Sequence, residues 1–163
     1  IQYMTGEKIN KVFSFNDTKT FQYEVEDSSA ILAQLEGGAN VSIHSNFNIP
    51  DETANWRIEF YGTRGRILAN ETIGQVEGGI TEVMITDNLH EYDAAQNKTL
   101  CNKRILDVEC GNLYTKQIES FSNSVIHQTE LECPADDAVY VQKVVEAAYL
   151  SSNTGSIVHV QSI

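Results

Sequence analysis

The chain has 163 residues, a net charge of −12 and 41% hydrophobic residues, which is enough for one domain with a real core. This acidity excludes partners that need a basic surface, such as nucleic acid or an anionic membrane, and no apolar run reaches the roughly 18 residues of a membrane span. Three cysteines at irregular spacing predict reduced thiols in a cytoplasmic protein, with neither a disulfide framework nor a metal site. They are Cys101, Cys110 and Cys133.

The first part of the chain is typical of strands. Residues 1–5 fit the last turn of a helix that Gly6 would terminate. Alternation of apolar and polar residues predicts strands over Ile9–Phe15 and Val41–Ile49, and a more uniformly apolar run predicts another over Ala30–Leu35. Because every second residue of the Val41–Ile49 strand is polar, one face of its sheet should be buried and the other polar.

A β-hairpin is predicted near the middle of the chain. Two alternating runs, Trp56–Phe60 and Arg66–Asn70, flank the corner Gly62-Thr-Arg-Gly65, where both glycines are expected at positive φ. A further strand is predicted over Ile80–Thr86. Residues 87–111 are polar and without period, which predicts a long loop.

The period then changes to that of helices. Tyr114 starts an apolar stripe at helical spacing, continued by Ile118, Phe121 and Val125, and Asn112 is available as the N-cap. A second helix is predicted to start at Pro134 and to end at Gly155. Its buried side is expected to consist of Val141, Val144, Val145 and Ala148. A strand over Ile157–Val160 closes the chain.

Consecutive strands followed by two helices predict an α+β fold, with an open, mainly antiparallel β-sheet and both C-terminal helices packed on one face. The other face is left for water, a ligand or a second subunit. Outer residues of the Val41–Ile49 strand are uncharged, whereas a solvated face more often carries Lys or Glu, so they predict a homo-oligomeric interface. These residues are Ser42, His44, Asn46 and Asn48. A catalytic role for His44 is the alternative, and no partner motif accompanies it.

The sequence contains none of the usual catalytic or phosphate-binding motifs. A dinucleotide-binding loop lies between a strand and a helix, whereas the corner at Gly62–Gly65 lies between two predicted strands. A P-loop, a Gly-x-Ser-x-Gly elbow and a His-Glu-x-x-His pair do not occur. We therefore predict no catalytic, cofactor-binding or metal-binding residues within this chain.

Four stretches combine into a pattern: Ile58–Leu68, Tyr114–Phe121, Ala147–Ser152 and Ile157–Val160. Together they resemble the C-terminal domain of the Gfo/Idh/MocA (glucose-fructose oxidoreductase/inositol dehydrogenase) family, and the resemblance runs from end to end. It implies that residues 1–163 form a single C-terminal substrate-side and oligomerisation domain. An N-terminal Rossmann domain would then lie outside this chain, which would be a piece of a longer protein.

The resemblance implies an oxidoreductase that transfers a hydride between NAD or NADP and a sugar or polyol. The family's acid/base residues are a Glu-Lys-Pro lysine and an Asp-x-x-x-His pair. Neither occurs here, because Glu7-Lys8 is followed by Ile9 and no histidine has an aspartate four residues before it. We therefore expect the cofactor and the catalytic residues in the full-length parent, and an inactive chain when it is isolated.

The resemblance also implies two parts of a substrate wall. Tyr114 matches the family's aromatic residue at the start of the first C-terminal helix, which can point at a polyol; the alternative is a ring in the core stripe. The loop over residues 50–55 corresponds to a segment that approaches the sugar, which makes Asp51, Glu52 and Asn55 candidates. A solvated turn is the alternative for these three. The tyrosines of some inositol-type members are absent, so a polyol preference is not inherited.

Two other functions stay open at this point. The chain could belong to a ligand-sensing or regulatory member of the family without catalysis, or it could be a purely structural dimerisation domain. The upstream sequence of the parent separates an enzyme from a sensor, because Glu-Lys-Pro and Asp-x-x-x-His would be present or replaced there.

Overall fold

A computed structural model describes residues 1–54, 56–87, 94–95, 100–108 and 110–163. They divide into two compact units, which we call the terminal unit (1–52 and 132–163) and the central unit (53–131). Among the helices in these ranges, none combines the length and the apolar content that crossing a bilayer requires.

The helices and strands follow the predicted order closely. They are α1 (Gln2–Thr5), β1 (Ile9–Asp17), β2 (Ser28–Leu35), β3 (Asn40–Asn46), β4 (Arg57–Gly62), β5 (Gly65–Asn70), β6 (Ile80–Ile85), β7 (Asn102–Leu106), α2 (Leu113–His127), α3 (Ala135–Thr154) and β8 (Val158–His159). Two 3₁₀ turns, Asp51–Thr53 and Val160–Ser162, complete the described elements.

The terminal unit is an antiparallel sheet with α3 on one face. Its strand order is β3-β2-β1-β8. Apolar residues on one side of the sheet and one side of α3 form the core, because period two in a strand and period 3.6 in a helix each put them on a single face. The core residues are Ile9, Val12, Ala33, Leu35, Val144, Ala147, Ala148, Val158 and Val160.

The ends of α3 are where the sequence predicts them. Pro134 is the N-cap, and Gly155 ends the helix in the left-handed conformation with φ 62°, its N–H donating to the Ser151 carbonyl at 2.8 Å. The predicted buried side is confirmed for Val144 and Ala148. It is wrong for Val141 and Val145, which are 51% and 39% exposed. Ala147 and Ser151 are buried instead. The buried side of α3 is therefore turned around the helix axis relative to the predicted one, and consists of Val144, Ala147, Ala148 and Ser151.

Two serines connect α3 to the centre of β1. The Ser14 N–H donates to Ser151 Oγ at 3.1 Å, and the Ser14 hydroxyl donates to the Ala148 carbonyl. The Ser151 hydroxyl donates to the carbonyl of Ser156 at 2.6 Å. Both serines are buried, and each of these buried polar groups has a partner, as a stable interior requires.

The central unit contains a second antiparallel sheet of order β4-β5-β6-β7. The predicted hairpin is confirmed, with Gly62 opposite Gly65 across a two-residue corner. Positive φ is confirmed for Gly65, at 145°, and is wrong for Gly62. A Cβ on Gly65 would lie 1.9 Å from the Met84 carbonyl oxygen, so this position is closed to any side chain.

Three features differ from the sequence-based fold. The predicted single sheet is two four-stranded sheets, because alternation shows that a segment is a strand without showing which strand it pairs with. The predicted loop over residues 87–111 contains β7, whose five residues are all exposed and lack alternation. The stripe of α2 is exposed rather than core-forming: Tyr114, Ile118, Phe121 and Val125 are 56–67% exposed. The α+β class and the antiparallel pairing are confirmed.

Candidate functional site

The candidate substrate loop is an exposed acidic turn. Asp51 and Glu52 begin the 3₁₀ turn Asp51–Thr53, and both are exposed. Their carboxylates are therefore accessible to hydroxyl groups of a ligand, as they are to water. Asn55, the third candidate in this loop, lies outside the described residues.

Tyr114 lies in the first turn of α2, in the central unit. Asn112 caps this helix as predicted: its Oδ1 accepts a hydrogen bond from the Thr115 N–H at 3.0 Å. The Tyr114 side chain is 56% exposed, so its ring is accessible at the start of the helix. Tyr114 belongs to the central unit, whereas Asp51 and Glu52 belong to the terminal unit, and each stays a separate candidate.

The candidate interface lies on the sheet face opposite α3. Ser42, His44 and Asn46 are exposed on β3, an edge strand of the terminal sheet, and the Ser42 hydroxyl lies 3.1 Å from His44 Nε2. Leu32 is opposite Ser42 on β2, and both Leu32 and Phe15 are 61% exposed. We call these five residues the open face. None of the five is Asp, Glu, Lys or Arg, as the alternation of β3 predicts for its three residues, and Lys11 and Asp17 lie on the same face of β1 at either end of the patch.

Asn48 does not belong to the open face. It follows the end of β3, is half-buried, and its amide donates to Thr20 Oγ1 at 3.2 Å and to Asp27 Oδ1 at 3.4 Å. The alternation that placed it beside Asn46 stops at Asn46, because β3 ends there. Its hydrogen bonds stabilise the loop between β1 and β2, which contains Thr20 and Asp27.

That loop joins β1 to β2 and is organised by a buried carboxylate. Asp27 is 1% exposed and accepts hydrogen bonds from the backbone N–H groups of Lys19, Thr20 and Phe21 at 2.8, 2.7 and 3.0 Å. Desolvation raises the pKa of Asp27, but these backbone hydrogen bonds outweigh it and hold the pKa below its ordinary value. The sequence signal that was missed is an aspartate just before a strand, at the end of a polar connection.

A cleft of about 200 Å³ lies beside α3 in the terminal unit. The Tyr149 hydroxyl on α3 lies 2.7 Å from both carboxylate oxygens of Glu26 at this cleft. The carboxylate raises the pKa of Tyr149, because a hydrogen bond to a carboxylate favours the protonated phenol. Sequence reasoning did not find this pair, since the two residues are 123 positions apart.

The central sheet carries a charged network on one face. Glu82 accepts from Arg66 Nη2 at 3.0 Å and pairs with Lys103 Nζ at 2.5 Å, across strands β5, β6 and β7. These two hydrogen bonds lower the pKa of Glu82. Across the described ranges, no three His, Cys, Asp or Glu side chains converge as a metal site would require. The ion pair between Lys103 and Glu82 supports the pairing of β7 with β6, and we assign the network no binding or catalytic role.

The sequence over residues 1–160 matches a known family, described as the C-terminal alpha/beta domain of an oxidoreductase family, Gfo/Idh/MocA. The chain belongs to this family. The resemblance predicted from the four sequence stretches is thereby confirmed, and the Gfo/Idh/MocA match covers both units of the structure.

Solved structures share the fold at low sequence identity. Levoglucosan dehydrogenase in complex with NADH and levoglucosan has a TM-score of 0.76 at 18% identity, covering 99% of this chain and 47% of that one. An aldose-aldose oxidoreductase from Caulobacter crescentus, complexed with glycerol, has a TM-score of 0.74 at 19% identity, covering 97% and 43%. An oxidoreductase from Thermotoga maritima has a TM-score of 0.71 at 21% identity, covering 98% and 43%.

The chain thus spans less than half the length of these structures. No curated protein sequence matches it. Sequence identities of this size show that the fold is shared, and they do not assign the substrate of one protein to another.

Proposed function

We propose that the chain is the substrate-side and dimerisation domain of an NAD(P)-dependent oxidoreductase that transfers a hydride to or from a sugar or polyol. The observation that carries this proposal is the family match over residues 1–160. It is supported by two proteins of the same fold, one complexed with NADH and levoglucosan and one with glycerol.

The nicotinamide cofactor is assigned to a Rossmann domain of the parent protein and not to this chain. The glycine-rich corner of the hairpin does not fit a pyrophosphate. The space that the missing side chain of Gly65 leaves is filled by the Met84 carbonyl of β6, so it is not open to a phosphate group. That corner also joins two strands, so no helix N-terminus follows it to receive the phosphates. When bound in the parent, NAD or NADP would supply the hydride acceptor or donor.

The proposed substrate contacts from this chain are Tyr114, Asp51, Glu52 and Asn55. An exposed phenol can donate a hydrogen bond to a substrate hydroxyl and place its ring against a sugar C–H face. The exposed carboxylates of Asp51 and Glu52 accept from hydroxyl groups. In this scheme each of them is a separate candidate for orienting the substrate, and the acid/base step belongs to residues of the parent.

Dimerisation is assigned to the open face of the terminal sheet. Exposed apolar side chains on an uncovered sheet face are typical of a protein interface, and Phe15 and Leu32 are both well exposed there. The acidic chain as a whole argues against nucleic acid or membrane in this role, and a cytoplasmic location is proposed with it.

The test is a cofactor-reduction assay on the protein that contains this chain. A panel of sugars and polyols is screened, and the absorbance of the reduced nicotinamide is followed. We expect at least one of these compounds to reduce NAD⁺ or NADP⁺. Tyr114→Phe should raise KM or lower kcat about tenfold, the size of one hydrogen bond to a substrate. Tyr3→Phe, at a more exposed tyrosine of α1, is the control and should change neither.

Two results would contradict the proposal. Sugar binding by calorimetry without any nicotinamide reduction would favour the ligand-sensing alternative. Self-association with neither sugar binding nor reduction would favour a structural dimerisation domain. Equal kinetics of the Tyr114→Phe and wild-type proteins would remove Tyr114 from the substrate wall and leave the enzyme assignment in place.

A further inference from the structure

The cleft beside α3 is built from three strands, one helix and two loops of the terminal unit, the loop between β1 and β2 and the one that follows β3. Asn16, Ser29 and Ser45 lie opposite one another on β1, β2 and β3, and form a polar row on the sheet side. Tyr149 lines the cleft from α3, and Glu26 lines it from the β1–β2 loop. Its volume of about 200 Å³ is below that of pockets for drug-sized ligands and leaves room for a molecule with one ring.

The charge in the cleft is negative, and its two carboxylates differ in how they are compensated. Among the residues that line it, none is Lys, Arg or His, and the acidic ones are Glu26 and Asp27. The Asp27 carboxylate is already satisfied by three backbone N–H groups. Glu26 has no ion pair within the described residues, and its carboxylate is held by the neutral Tyr149 hydroxyl. One carboxylate therefore faces the cleft without a countercharge.

Apart from Ser28, the rest of the lining is apolar. Ile31, Val145 and Ala148 lie on either side of the groove between the sheet and α3, and Phe47 is 78% exposed at its edge. Phe47 contacts Phe21 edge-on at 6.4 Å between ring centroids. These side chains favour the hydrocarbon part of a ligand, and the face of an aromatic ring also attracts an organic cation.

We infer that this cleft binds a small protonated amine with an apolar body. The ammonium group pairs with the Glu26 carboxylate, which Tyr149 holds in place, while the hydrocarbon part lies against Ile31, Val145 and the Phe47 ring. The absence of a basic side chain in the lining disfavours anions, and the negative charge of Glu26, which the neutral Tyr149 hydroxyl does not cancel, favours a cation over a neutral compound. This site goes beyond the proposed oxidoreductase function, because it uses neither the acidic turn nor Tyr114.

Calorimetry with benzylamine and benzyl alcohol tests this assignment, since the two probes share their ring and differ in charge. Benzylamine should bind the wild-type protein at least about tenfold more tightly than benzyl alcohol, and the difference should shrink as salt is added. Glu26→Gln keeps an acceptor for Tyr149 and removes the charge, so it should weaken benzylamine binding about tenfold. Glu24→Gln is the matched control, because it makes the same charge change at an exposed residue outside the cleft.

Tyr149→Phe separates a ligand site from a purely structural pair. Removing the hydroxyl leaves both oxygens of Glu26 available, so the Tyr149→Phe variant should still bind benzylamine. If the pair only holds α3 in place, the variant should have a lower thermal midpoint, and neither the variant nor the wild type should bind benzylamine. Equal affinity for the amine and the alcohol, no binding of either, or equal weakening by Glu24→Gln would each overturn the inference. Tighter binding of myo-inositol than of benzylamine would overturn it too, in favour of a neutral polyol site.

Discussion

At the residue scale, Asp27 shows how a single carboxylate shapes a connection between strands. Its side chain is removed from water, yet its pKa lies below the ordinary value because three backbone N–H groups point at it. A depressed folded-state pKa means that ionised Asp27 stabilises the fold at pH values above its unfolded pKa. This contribution is lost as the pH falls through the lower, folded-state pKa.

We predict that Asp27→Asn lowers the free energy of unfolding at neutral pH, because the amide group cannot accept all three N–H hydrogen bonds. The difference between variant and wild type should narrow under acidic conditions, where the wild-type carboxyl is also protonated. Urea unfolding followed at neutral and at acidic pH measures both effects. Asp51→Asn, at an exposed carboxylate, is the control and should show little change; a pH-independent gap would contradict the ionisation argument.

At the scale of elements, the hairpin β4–β5 depends on one of its two glycines. Gly65 has positive φ, and a Cβ added to it would overlap the Met84 carbonyl of β6, so a side chain would push β5 away from β6. Gly62 has neither constraint: an added Cβ would have the Gly65 carbonyl oxygen as its nearest neighbour, at 3.9 Å. The corner therefore contains a required and a replaceable glycine.

We predict that Gly65→Ala destabilises the protein by about 3 kcal/mol, since it combines backbone strain with a clash against main-chain atoms. Gly62→Ala should change the free energy of unfolding by less than about 0.5 kcal/mol. Chemical denaturation of the two variants side by side gives the comparison. Similar losses in both would mean that the corner as a whole, and not the contact with Met84, needs glycine.

At the scale of the whole molecule, the exposed apolar surface is the feature to explain. The open face places Phe15 and Leu32 beside the uncharged residues of an edge strand, on the side of the terminal sheet away from α3. Patches of this kind on soluble proteins are commonly interaction sites. The face is therefore where we expect two copies of the chain to meet.

We predict that Leu32→Lys shifts the protein from dimer to monomer, because it places a positive charge at the centre of the proposed interface on each copy. Val139→Lys introduces the same charge at a similarly exposed residue of α3 and should leave the dimer intact. Light scattering over a concentration series reads the mass directly. A wild-type protein that stays at 18.2 kDa at high concentration would remove the open face as a dimer interface.

Local patterns determined much of this fold. Strand alternation, the Gly-Thr-Arg-Gly corner, the Asn112 cap and the Gly155 terminator all depend on neighbours within a few residues, so they could be predicted from the order of residues. The family resemblance depended on the same local stretches. Candidate contacts such as Tyr114 and Asp51 came from that resemblance, and they stay predictions until they are tested.

The remaining features were decided by the tertiary structure, because they depend on residues that are distant in sequence. Ser14 reaches Ser151 across 137 positions, and Glu26 reaches Tyr149 across 123. The division of the strands into two sheets and the pairing of β7 with β6 depend on which backbones meet, which alternation does not encode. The sequence by itself thus determined the family, the α+β class and most elements to within a few residues of their ends. Only long-range contacts created the two separate sheets and the cleft at Glu26, because they join residues that are far apart in the chain.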